Sequence, residues 1–294
     1  MGFTIFMGGE SYVGKACAYC CQAIISGSWN EDVAYEQGLA IGEEGLWGKT
    51  EDNGYTYSGI YAPGVNLHRS PFGGRNGEYY SEDPFLTGVM AANMIVGCDE
   101  KGVVTYMKHL AVNEQETKRQ GVLTWLDEQT LREVYLKAFE IAVKKSGEAC
   151  KGMMTSFNRI GTRWTGGDYR LVTEVFRDEW GFRGTVICDF NTVQYMNVKQ
   201  MVYAGGDLNL STTRRWSAAS SATSAADITV LRNATHNILY TVANSNAYSA
   251  EILYERMPIW QIVTIVIECV IGAGLIVWGV FAVRRALKKS KEQT

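Results

Sequence analysis

From Ile60 to Leu210 short apolar runs alternate with amphipathic helical stretches, and no hairpin signal separates them. This alternation constrains the fold more than any other feature of the chain. Strands joined through helices pair in parallel, and a parallel sheet needs helices over both of its faces. The strands expected are Ile60–Leu67, Val103–Lys108, Gly152–Ser156, Thr185–Asp189 and the short Asp207–Leu210, with a weak one near Ile24 and Ile25. The helices expected are Asp32–Glu43, Asp83–Cys98, Asp127–Lys145, Leu171–Glu179, Met196–Ala204 and Ile228–Asn244, with Asp32 as an N-cap of the first. In the helix at 127–145, Leu131, Val134, Tyr135, Ala138, Phe139 and Ala142 fall on one face. Repeated βα units of this kind predict an α/β fold of the (β/α)8 TIM-barrel type over residues 1–250. Six strands at best can be read, so the barrel is expected to be incomplete at its N-terminus.

Three of these strands end in polar groups: Lys108-His109, Ser156-Phe157-Asn158 and Asp189. In a barrel such ends converge on one face, where active sites are built. Thr185-Val186-Ile187-Cys188 reads as a buried strand, and a carboxylate directly after it needs solvent, a partner or a use. A strand also ends in Asp simply to cap the next helix or to open a turn. Position alone leaves both readings of Asp189 open.

The last stretch is of another kind. Pro258–Val283 carries Glu268 as its only charge, and at 1.5 Å per residue such a run crosses roughly 30 Å of hydrocarbon as a transmembrane helix. Residues 251–257 read as a linker to it, after a Ser/Ala-rich loop at 211–227. Arg284, Arg285, Lys288, Lys289 and Lys291 follow in the tail at 284–294, which places the C-terminus in the cytoplasm and the barrel outside the cell membrane. Met1–Glu10 lacks a basic, apolar export signal, so either the chain continues a longer one or the apolar helix itself directs it. Residues 258–294 hold five basic and two acidic side chains, which leaves −6 of the formal −3 on the remainder. An acidic globular part excludes a nucleic-acid surface, which needs clustered cations. The seven cysteines show no repeated spacing and the chain has three histidines, so free and mostly buried thiols are expected, with no metal site and no cofactor.

The stretches APGVNLHRSPFGGRNGEYYSEDPFLTG at 62–88, KHLAVNEQETKR at 108–119, MTSFN at 154–158, DEWGFRGTVICDF at 178–190 and AGGDLNL at 204–210 resemble glycoside hydrolase family 3, the retaining enzymes of β-glucosidase type. The resemblance implies a hydrolase acting on the O-glycosyl bond of a β-linked oligosaccharide or glycoside. It places the catalytic nucleophile at Asp189, sugar-hydroxyl contacts at Lys108 and His109, and two supporting arginines at Arg75 and Arg119. Cations beside Asp189 are expected to keep it ionised. Phe157 stands where members of the family commonly have Tyr, Phe190 where many have a Trp platform, and Gly77 where an aromatic is usual. Both phenylalanines are expected to contribute to substrate binding.

The general acid/base of this family commonly lies on a separate αβα sandwich domain, which these residues do not contain. It is expected to come from another domain or chain. The alternative is a membrane-anchored, catalytically degenerate protein that binds sugar or serves as a scaffold. Glu43/Glu44 and Glu114/Glu116 read as solvated faces or supports for Arg119, and Glu82-Asp83 before Pro84 as a helix start. His68 reads as a loop residue near the site, and His236 as an ordinary helix residue.

Overall fold

The computed structural model describes residues 5–6, 17–47, 57–192, 195–211, 222–248 and 259–291. The expected linker at 251–257, most of the loop at 211–227, most of Met1–Glu10 and the last residues of the tail lie outside them. The chain divides into two units, Met1–Ser249 and Ala250–Thr294.

In the first unit the strands are Ile5–Phe6 (β1), Gly59–Ile60 (β2), Val104–Leu110 (β3), Leu123–Thr124 (β4), Gly152–Thr155 (β5), Arg159–Ile160 (β6), Arg163–Trp164 (β7) and Thr185–Cys188 (β8). One sheet runs β1-β2-β3-β5-β8, with every neighbouring pair parallel. Leu208 continues it through a parallel bridge to Ile187, where the sequence predicts a strand at Asp207–Leu210. The order never doubles back, so the sheet winds in one direction as in a barrel. All residues of β5 and β8 are buried, as sheet covered on both faces requires.

The helices that cover it are Gln22–Gly27 (α1), Glu31–Trp47 (α2), Pro84–Asp99 (α3), Glu128–Thr130 (α4), Lys137–Ser146 (α5), Val198–Tyr203 (α6) and Ala225–Ala243 (α7). Asp83 caps α3 by accepting from the N–H groups of Phe85 and Leu86, with Pro84 at its first position. Met90, Ala91, Ile95, Phe139, Ala142 and Phe176 from the helices meet Met107, Met153 and Val186 from the sheet in the main core. Helices α2 and α3 touch backbone to backbone, for a Cβ at Gly38 would collide with the Met94 carbonyl and one at Gly97 with the Tyr35 carbonyl.

Several expectations are corrected. Ile24 and Ile25 lie in α1 rather than in a strand; one is exposed and the other buried, so the pair spans two faces of a helix. The first strand is Ile5–Phe6. Asn30, not Asp32, receives the free N–H at the start of α2, its Oδ1 accepting from Asp32 N at 3.0 Å. Between α4 and α5 the helix loosens over Leu131–Tyr135, where Leu136 N–H bonds Leu131 O, five residues back. The extra residue in that turn rotates the stripe, which leaves Val134 exposed while Ala138, Phe139 and Ala142 stay buried. Arg170–Glu179 is wound in the same loose way. A hairpin is also present: β6 and β7 are antiparallel across Gly161, whose φ is +58°, and β4 pairs with β6. Of the cysteines only Cys98, Cys150 and Cys188 are buried; Cys17, Cys20 and Cys21, near the N-terminal end, and Cys269 are exposed.

The C-terminal end of the first unit is tied down by a side chain and by the backbone. Thr241 Oγ1 accepts from Thr185 N at 2.9 Å and donates to Lys151 O at 3.1 Å, and Asn246 N–H donates to Gly102 O at 2.8 Å. The second unit is one helix, Ile259–Lys291 (α8). Its segment Ile262–Phe281 has a mean hydropathy of 2.3 and is, by length and composition, able to cross a membrane.

Candidate active site

Asp189 stands one residue past β8, where its N–H donates to Thr155 O at 3.0 Å and extends the ladder. It is not a helix cap: the next helix, α6, begins nine residues later and is capped by Asn197. Its Oδ1 accepts from Phe190 N–H at 2.6 Å. Its Oδ2 is buried with no hydrogen-bond partner, and His109 Nε2 stands 3.8 Å away, beyond hydrogen-bond range. Burial pushes the Asp189 carboxyl above its usual range, while the Phe190 N–H and the charges of Arg119, Arg75 and Lys108 pull it down. The cations are therefore where the sequence expects them, but desolvation outweighs them.

Those cations form a chain with two carboxylates. Lys108 Nζ lies 2.8 Å from Glu78 Oε1, and Arg75 holds Glu78 through two bonds of 2.6 and 2.7 Å. Arg75 also lies 3.7 Å from Glu116, which in turn meets Arg119 at 3.0 Å. Lys108 and Arg75 overcome the burial of Glu78 and hold its carboxyl below its usual range. Counting Asp189, three cations face three carboxylates, so the cluster balances without an added ion.

His109 is 2% exposed, and burial, followed by the charges of Arg75, Lys108 and Arg119, holds it well below its usual range. It is therefore neutral at pH 7. Asn66 accepts from its backbone N–H at 2.8 Å, and the Tyr79 ring packs edge-on against the imidazole. His68 lies under the same loop, with Nε2 within 3.0 Å of the carbonyls of Asn76 and Tyr79, and so shapes the turn that carries Arg75 and Glu78.

Phe157 is buried, with the Arg119 guanidinium 4.5 Å above its ring. Its carbonyl accepts from the Tyr195 hydroxyl at 2.9 Å, and Arg159 stacks on the Tyr195 ring. Phe190 is half-buried against the cluster of Phe157, Trp164 and Met201. A Cβ at Gly77 would meet nothing within 4 Å, so the place of the usual aromatic is open space.

The structure thus gathers Asp189, Lys108, His109, Arg75, Arg119, Phe157 and Phe190 at the ends of β3, β5 and β8 and on the loops beside them. Glu116 supports Arg119, as the sequence reading allows. Glu114 is no solvated face: it is 5% exposed and its carboxyl is raised to about 7, chiefly by burial. Glu43 pairs with Lys101, and Glu44 accepts from the Tyr19 hydroxyl. The sequence reading misses Glu78, Asn66 and Tyr195. For Glu78 a signal existed, since a carboxylate three residues after Arg75 can close a tight turn onto it. Among the described residues no group of three or more His, Cys, Asp and Glu side chains is arranged to hold a metal.

Residues 8–238 match the family model described as the glycosyl hydrolase family 3 N terminal domain. Beta-glucosidase A of Butyrivibrio fibrisolvens is 41% identical over 175 residues, which are 59% of this chain and 20% of that protein. An exo-alpha-(1->6)-L-arabinopyranosidase of Bifidobacterium longum is 42% identical over 166 residues, 56% of this chain and 21% of that protein. The solved beta-glucosidase 3B from Thermotoga neapolitana, in complex with alpha-D-glucose, superposes with a TM-score of 0.71 at 33% identity, over 82% of this chain and 34% of that one. The chain spans about a fifth of the length of the curated relatives it matches.

Proposed function

Because the chain belongs to glycosyl hydrolase family 3, through the N-terminal domain of that family, we propose that its site is one half of a retaining glycosidase centre with Asp189 as the nucleophile. The observation that carries this reading is the buried, unpartnered Oδ2 of Asp189, among three cations that balance the local charge. Oδ2 attacks the anomeric carbon as the bond to the leaving oxygen breaks, and water later displaces the aspartyl ester with retention of configuration. Lys108, Arg75 and Arg119 donate to sugar hydroxyls, and a charge-balanced cluster suits an uncharged, polyhydroxylated ligand such as a β-linked glycoside. Phe190 borders the same space.

The leaving oxygen needs a proton, and the carboxyls nearby are poor sources of one. Glu78 is kept ionised by Lys108 and Arg75, Glu116 is bonded to Arg119, and Glu114 is buried beneath Asn66. The acid/base therefore comes from outside these residues, from a sandwich domain or a separate chain. The same fact favours a second reading, a domain that binds sugar, or scaffolds a partner, without turning sugar over. In either reading α8 anchors the chain in the cell membrane, with the barrel outside and the basic tail in the cytoplasm; its length and hydropathy support this.

An activated 2-fluoro-glycoside supplies its own leaving group, so it tests the nucleophile without the missing acid. An adduct by intact mass, mapped to Asp189 and lost in Asp189→Asn, is expected. Sugar binding with no adduct would leave the degenerate reading standing instead.

A further inference from the structure

Glu114 has no part in the reaction proposed above, yet it is buried against the residue that holds His109. Its Oε1 accepts from Asn66 Nδ2 at 3.2 Å and from Leu67 N–H at 3.4 Å. Asn66 is fully buried, and its Nδ2 also donates to His109 O at 3.1 Å. Both hydrogens of that amide are thereby directed at acceptors, and these contacts together with that of Oδ1 to the His109 backbone N–H decide which end of the amide is oxygen. The opposite orientation would set Oδ1 against Glu114 Oε1, an oxygen that already accepts from Leu67 N–H.

The orientation reaches the imidazole. Asn66 Oδ1 accepts from the His109 backbone N–H at 2.8 Å and lies 3.2 Å from His109 Nδ1. An amide oxygen only accepts, so Nδ1 carries the proton. Asn113 Nδ2 is the other donor nearby, 3.5 Å from Nδ1, but it already bonds Glu116 Oε1 at 3.2 Å and the Tyr79 hydroxyl at 3.3 Å. A neutral imidazole has one N–H, so Nε2 is bare and faces Asp189 Oδ2 across 3.8 Å. Lone pairs facing one another make no hydrogen bond, which agrees with the unpartnered state of Oδ2.

We propose that Glu114 is a positioning residue that acts through Asn66 to set the tautomer of His109. It keeps His109 from hydrogen-bonding the attacking oxygen of Asp189 and presents Nε2 as an acceptor for a substrate hydroxyl. The tautomer belongs to the resting protein; its use in attack rests on the glycosidase reading above.

Nitrogen NMR of the full chain labelled in its three histidines separates the two. His109 is assigned by difference from His68→Gln and His236→Gln. The Nδ1–H form is expected in the parent and in Glu114→Gln, which keeps a carbonyl acceptor. Glu114→Met fills the same volume without an acceptor and is expected to populate the Nε2–H form. Glu114→Ala, which opens onto a cleft of about 240 Å³ lined by Arg69, Gln115, Trp125 and Asn158, serves if Glu114→Met does not fold. Labelling of Asp189 by the 2-fluoro-glycoside should slow roughly ten-fold in Glu114→Met or Glu114→Ala and be rescued in Glu114→Gln. An Nε2–H parent, or a variant lacking the acceptor with an unchanged tautomer, overturns the proposal. A tautomer that moves as expected while no protein forms an adduct supports the positioning role and overturns the glycosidase reading.

Discussion

Glu78 sits between Lys108 and Arg75 and holds both, so it governs two of the three cations that act on Asp189. Glu78→Gln is expected to weaken monosaccharide binding about ten-fold by calorimetry, because charge-assisted bonds to both cations weaken together. Glu114 makes a different prediction. Burial lifts its carboxyl from 4.5 to about 7, so between those values the folded chain keeps a proton that the unfolded chain has released. That stability is full at low pH and declines as pH rises through 7. Glu114→Gln removes the slope, so in urea unfolding it should match the parent at pH 4 and exceed it at pH 8 by about 3 kcal/mol. Asp189, Lys108, His109, Arg75 and Arg119 were legible in the sequence because they lie in recognisable motifs, several at strand ends. Asn66 and Tyr195 were not, since their roles come from partners brought by the fold rather than from spacing, and Glu78 showed only in its spacing to Arg75, not in its hold on Lys108. At Asp189 the cations show in the sequence, whereas the burial that raises its carboxyl against them does not.

At the scale of elements, α2 and α3 depend on having no side chain where they cross. Gly97→Val is expected to cost about 2–3 kcal/mol in urea unfolding, because its methyl groups would meet the Tyr35 carbonyl rather than a movable side chain. Strands β5 and β8 were readable because full burial keeps them largely apolar, and β3 because its buried run gives way to charge only near its end, at Lys108. The β6–β7 hairpin was not, as its arms are two residues each and Gly161 is the only turn signal between them. The loosened turn at Leu131–Tyr135 was equally hidden, because helical periodicity assumes the very winding that changes there.

For the whole molecule, α8 makes the proposed location testable. Deleting residues 250–294 should move the protein from the alkali-resistant membrane fraction to the supernatant while its near-ultraviolet circular dichroism stays that of a packed core. Full-length protein extracted by alkali would count against the anchor. Within the first unit, Thr241 and Asn246 grip the chain just ahead of β8, β5 and β3, whereas Asp189 lies past the far end of β8 and Lys108 near the far end of β3. The candidate site and the last described residues of the first unit thus lie at opposite ends of these strands. A bulky dye carried on Asn244, exposed beside that grip, would leave the doorway clear.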